Sequence, residues 1–201
     1  MPATETDTPD DVCVTSDEQL MKALSCGSMN AFGELFSRYK QPLFGFFRRR
    51  VVDPAQAEEL TQETFLALLN AAPRYQPSAL FRTYLYAIAL NLLRGHRRKA
   101  AFRAMFHGAP SLADEASTRN TMDADVILRN ALGKLDRVDR EILLLREFEQ
   151  LSYAEIAELL ALPLNTVRSR LFRARTALRD LLSTPAPQPI PLKLAQEQER
   201  L

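Results

Sequence analysis

The chain has 201 residues, 46% of them hydrophobic, enough to bury one substantial core or two small ones. A formal net charge of +1 excludes a global basic field, but charge is segregated: the first twenty residues hold six acids and no Lys or Arg, whereas residues 81–103 hold six Lys or Arg and no acid. Cys13 and Cys26 have neither zinc-knuckle spacing nor the numbers for a secreted disulfide framework, no apolar leader is evident, and no run is long enough to cross a bilayer. A cytoplasmic protein with free thiols, no metal, no cofactor and no direct membrane insertion is expected.

The periodicity is helical throughout and nothing alternates as a strand does, so the expected fold class is all-α. Residues 1–16 are acidic and Pro/Thr-rich, the composition of a disordered tail. Helical spacing begins near Asp17 and runs through Leu20, Leu24, Ala31, Leu35 and Phe36 to Leu43, Phe44, Phe46 and Phe47. Asp53-Pro54 then opens a helix, with Asp as cap and Pro in the first turn, and residues 73–78 break it. A further helix is expected from Phe81 to about Arg98. From about Ala100 to Met122 the spacing is lost, and Gly108, Pro110 and several Ser, Thr and Asp residues read as a linker. A second helical unit covers 126–182, before Pro185, Pro187, Pro189 and Pro191 end regular structure. The organisation is therefore a tail (1–16), a domain (17–99), a flexible linker (100–125), a domain (126–182) and a Pro-rich tail (183–201).

Residues 151–182, LSYAEIAELLALPLNTVRSRLFRARTALRDLL, have the form of a helix-turn-helix. Ser152 and Glu155 fit a capping box, Ile156, Ala157, Leu159 and Leu160 supply a buried face, and Ala161-Leu162-Pro163 turns the chain into a second helix. At roughly 100° per residue, Val167, Leu171, Ala174 and Leu178 share one side of that helix and Asn165, Ser169, Arg173 and Thr176 the other. Arg168, Arg170, Arg175 and Arg179 flank the outer side, and no acid interrupts residues 163–179. The arginine fork suits phosphates and guanine edges, so this face fits a major groove.

Two other helices carry outward residues of distinct character. In the helix from Asp53, Ala57, Leu60, Thr64, Phe65 and Leu68 would form core, leaving Glu59, Gln62, Glu63, Leu66 and Asn70 outside; a leucine inside an acidic stripe suits a protein-docking surface. The segment FRTYLYAIALNLLRGHRRK interleaves aromatics with a basic tail, and aromatics beside basic residues can stack unpaired bases. Of Phe81, Tyr84 and Tyr86, two are expected in the core and Tyr84 outside. No enzyme is expected: the sequence offers no acidic metal cluster and no nucleophile paired with a base, and its only histidines are His96 and His107.

The segments AFGELFSRYKQPLFGFFRRR, DPAQAEELTQETFLALL, FRTYLYAIALNLLRGHRRK and REILLLREFEQLSYAEIAELLALPLNTVRSRLFRARTAL, in this order, resemble the two domains of bacterial sigma factors of the extracytoplasmic-function (ECF) group. The resemblance covers about residues 17–99 and 126–182. It implies that Glu58, Glu59, Gln62, Glu63 and Leu66 dock on the coiled coil of the largest subunit of core RNA polymerase. It implies that Tyr84 and Asn91 handle the non-template strand of promoter DNA at −10, with Arg94, Arg97 and Arg98 on phosphates. At −35 the matching positions are Arg168, Ser169, Phe172 and Arg173, joined by Asn165, Thr166 and Arg170 on the same helix. An anti-sigma factor is implied as a further partner. Tyr84 stands where tryptophan is common in the group, Gly95 where an acid is, Asp136 where proline is, and Ala161 where glycine is.

A linker of roughly 25 residues averages about 28 Å as a flexible coil, whereas promoter elements about 17 base pairs apart are separated by roughly 58 Å. The linker permits that span without fixing it, so a scaffold must hold the domains in register. A stand-alone helix-turn-helix regulator is the alternative reading; it would need a dimer surface or sensor domain in place of the acidic Leu66 helix.

Overall fold

The computed structural model describes residues 15–76, 79–107 and 124–183, and these contain eight α-helices, a short 3-10 turn and no strand. The expectations for residues 1–14, with Cys13, for Gly108 and Pro110, and for the Pro-rich 184–201 fall outside the described residues. The chain divides into two units, Met1–Leu112 and Ala113–Leu201.

In the first unit, α1 (Asp17–Ser25) is opened by a capping box in which Ser16 Oγ accepts from Gln19 N and Gln19 Oε1 accepts from Ser16 N. Gly27, at φ +92, turns the chain, a conformation that costs glycine no Cβ clash, and Ser28 caps α2 (Met29–Arg48). The sequence periodicity runs across this break because both helices face one core. α3 (Pro54–Ala71) starts as expected, with Asp53 accepting from Ala55 N at 2.9 Å and Pro54 in the first turn. Met21, Leu35, Leu43, Phe46, Phe47, Leu68, Leu85 and Leu93 are fully buried between α1, α2, α3 and α4 (Phe81–His107). Each contributes about 1.5–3 kcal/mol relative to exposure. Polar links seat α1 at the side: Asp17 accepts from Arg38 and Tyr39, and the Glu18 carboxylate accepts from Phe81 N at the start of α4.

α4 extends to His107, nine residues past the expected end near Arg98. Residues 99–107 contain strong helix formers and no Gly or Pro, so nothing stops the helix before Gly108. Their hydrophobic period is absent because the large apolar side chains of Phe102 and Met105 stay exposed to solvent. Periodicity marks burial, and an unburied helix does not display it.

The second unit comprises α5 (Ala124–Gly133), α6 (Arg137–Glu147), α7 (Tyr153–Leu160) and α8 (Leu164–Ser183). Ile142, Leu144, Leu145, Leu151, Ile156, Val167, Leu171 and Ala174 form its core. Asp136 caps α6, accepting from Val138 N and Asp139 N, which accounts for an acid at this position. Those backbone donors hold its carboxyl below the ordinary value. The Ser152–Glu155 capping box at α7 forms as expected. α7 ends with Ala161 in the left-handed region, φ +53, and Leu162 N donating to Ala157 O at 2.9 Å, a Schellman-type stop. Pro163 precedes α8, its carbonyl accepting from Thr166 N and Val167 N.

Candidate nucleic-acid and protein interfaces

α8 buries Val167, Leu171 and Ala174, which turns Asn165, Arg168, Ser169, Phe172 and Arg173 into solvent, with Thr166 half-exposed beside them. Phe172 is 72% exposed in the middle of this face. Arg168 and Arg173 form no ion pair among the described residues. Their forks are therefore open to an incoming anion. Ser169 Oγ and Thr176 Oγ1 donate back to Thr166 O and Phe172 O, keeping the short side chains close to the helix.

Arg170, expected on the DNA-facing side, is turned away from it. Its Nη1 pairs with Asp139 Oδ1 at 2.8 Å and Asp136 Oδ1 at 3.4 Å, both at the start of α6. Arg175, expected to flank the groove face, pairs with Glu147 Oε1 at 2.6 Å at the end of α6. The reason is geometric: the second arginine in each Arg-X-Arg lies roughly 200° around the helix from the first.

On α4, Tyr84, Asn91 and Arg98 lie seven residues apart, within about 20° per step of one line along the helix. Asn91, Arg94 and Arg98 are exposed, and Arg94 Nη1 donates to Asn91 Oδ1 at 3.4 Å. Arg97 departs from the expected basic row: it is half-buried, and its Nη2 donates to Arg50 O at 3.4 Å, beyond the end of α2. Phe81 and Tyr86 are core, as expected of two of the three aromatics. Tyr84, expected outside, is half-buried, its ring 5.0 Å from Tyr75 and tilted by 59°. Burial raises the pKa of both phenols. Tyr75 carried no signal in the sequence, because its partner is nine residues away across a helix boundary.

On α3, Glu58, Glu59, Gln62, Glu63 and Leu66 are all exposed, the leucine by 58%, opposite buried Ala57, Leu60, Thr61, Thr64, Phe65 and Leu68. The three glutamates form no ion pair among the described residues. Among those residues no group of three metal-ligating side chains occurs, and no helix is long and apolar enough to cross a membrane.

Residues 35–103 match Sigma-70 region 2, and residues 125–178 match Sigma-70, region 4. The chain is 34% identical to the RNA polymerase sigma-H factor of Pseudomonas aeruginosa, over 81% of this chain and 91% of that protein. It is 33% identical to the ECF RNA polymerase sigma factor SigC of Mycobacterium tuberculosis, again over 81% and 91%. The structure of CnrH in complex with the cytosolic domain of CnrY superposes with a TM-score of 0.66 at 29% identity, covering 85% of this chain and 99% of that one. The two matched regions hold the faces described above: α3 and α4 in region 2, α8 in region 4. The chain belongs to the sigma-70 family, as a promoter-recognising sigma factor of the ECF group.

Proposed function

We propose that the three exposed faces divide the work of initiation. Glu58, Glu59, Gln62, Glu63 and Leu66 on α3 dock core RNA polymerase through an apolar anchor at the end of an acidic stripe. On α4, Tyr84 stacks an unpaired base of the −10 element, Asn91 contacts a base edge, and Arg94 and Arg98 hold phosphates. On α8, Asn165, Thr166, Arg168, Ser169, Phe172 and Arg173 enter the major groove at −35. Arginine in bidentate contact with guanine is the commonest specific base contact, and phenylalanine can meet a thymine methyl. Acting with polymerase in the cytoplasm, the protein chooses the promoter and leaves the chemistry of RNA synthesis to the core enzyme. Because CnrH is similar to this chain and was solved bound to the cytosolic domain of CnrY, a protein that sequesters the factor is also proposed.

The observation that carries this reading is the open pair of arginines beside an exposed Phe172 on a helix whose opposite face is buried. Run-off transcription with core RNA polymerase and the full chain, on templates randomised at −35 and −10, tests it. Transcripts enriched for two short motifs at promoter spacing are expected. Transcripts with no motif, or with motifs unchanged when the chain is omitted, would contradict it.

A further inference from the structure

The recognition helix carries two Arg-X-Arg pairs five residues apart, Arg168-Ser169-Arg170 and Arg173-Ala174-Arg175. The structure splits both pairs alike. Arg168 and Arg173 stand exposed on the outer face, while Arg170 and Arg175 reach back to opposite ends of α6, to Asp139 at its first turn and Glu147 at its last residue. Asp136, the second acid at Arg170, is itself held by the backbone N–H groups of Val138 and Asp139, so Arg170 is tied to the rigid start of α6.

Ion pairs this accessible add little to stability, which the apolar core of Ile142, Leu145, Val167 and Leu171 supplies. Apolar packing is not directional, however, and a small roll of α8 would displace every side chain in the groove. Two directional links, one at each end of α6, remove that freedom. Arg170 is also poorly placed for DNA, with its side chain only 30% exposed and its partner Asp139 16% exposed.

We propose that Arg170 and Arg175 are positioning residues for −35 recognition: with Asp136, Asp139 and Glu147 they set the roll of α8, and of these four arginines only Arg168 and Arg173 meet DNA. This rests on α8 being the −35 reader.

The test uses holoenzyme, with two duplexes as probes: one carrying the −35 sequence that the parent selects from a randomised library, and one with that element scrambled. Removing an acid beside a polyanion should, by charge alone, tighten binding to both. The proposal expects Asp139→Asn instead to lower the ratio of selected to scrambled affinity, by roughly fivefold for a lost ion pair that fixes geometry. Arg170→Asp lowers the ratio further, and the exchanged double variant R170D/D139R recovers most of it. Arg170→Ala keeps the parent's salt dependence, whereas Arg168→Ala relaxes selection at one −35 position, as loss of a base contact does. A merely structural pair would lower both affinities together with the melting temperature and leave their ratio unchanged. That result, or a double variant as defective as Arg170→Asp, overturns the proposal. A parent that selects no sequence overturns the reading of α8 as well.

Discussion

Leu66 on α3 and Phe172 on α8 are both large apolar side chains left in water, each at the centre of a polar helix face, yet the charges around them are opposite. Glu63 and Glu59 precede the leucine by about one and two turns on the same face of α3; Arg168 and Arg173 flank the phenylalanine on α8. Both helices meet their own core with an ordinary apolar stripe, so amphipathicity does not separate them. In the proposed division of work, each of these two apolar residues anchors a contact, and the charge beside it selects the class of partner. An acidic face repels phosphates and suits a basic protein groove, whereas open arginines attract phosphates.

The comparison is broken most severely at Leu66. A leucine that anchors a protein interface and is replaced by a charge costs at least about 2 kcal/mol, or roughly thirtyfold in affinity. Leu66→Arg is therefore expected to lose core polymerase binding at unchanged helical circular dichroism, because more than half of the side chain lies in solvent, opposite the buried face of α3. Equal affinity for variant and parent would remove α3 from the interface. A smaller effect is expected at Tyr84, where stacking of one base is worth about 1–3 kcal/mol. Tyr84→Ala should form the closed complex and fail in opening, and a template already melted at −10 should restore most of the loss. Since Tyr84 also packs on Tyr75, the melting temperature of the variant must be measured beside the permanganate reactivity. Normal opening on duplex DNA would make the ring a core aromatic alone.

The all-α class, the caps at Asp53 and Ser152, and the outward stripe on α3 were legible because each depends on residues within one or two helical turns. The same is true of the exposed outer face of α8, whose buried side is written in Val167, Leu171 and Ala174. What stayed hidden depends on contacts between distant segments. Arg170 and Arg175 read as groove-flanking cations until Asp139 and Glu147, about thirty residues earlier, are brought beside them. Arg97 reads as one of a basic row until α2 places the Arg50 carbonyl within its reach. The run of α4 from Arg98 to His107 was lost for another reason: Phe102 and Met105 are exposed, and large apolar residues left in solvent follow no hydrophobic period.

The most direct test of the division between the two faces measures core polymerase affinity and −35 selectivity together, in Leu66→Arg and in Arg173→Ala. Arg173→Ala should bind core polymerase as the parent does and relax selection at one −35 position, at a cost of about 1–3 kcal/mol for a lost bidentate base contact. Leu66→Arg should do the reverse, losing affinity for core polymerase but keeping the parent's −35 preference once enough core enzyme is added to saturate it. Loss of both properties in either variant would contradict the account, since the two faces would then form one functional surface.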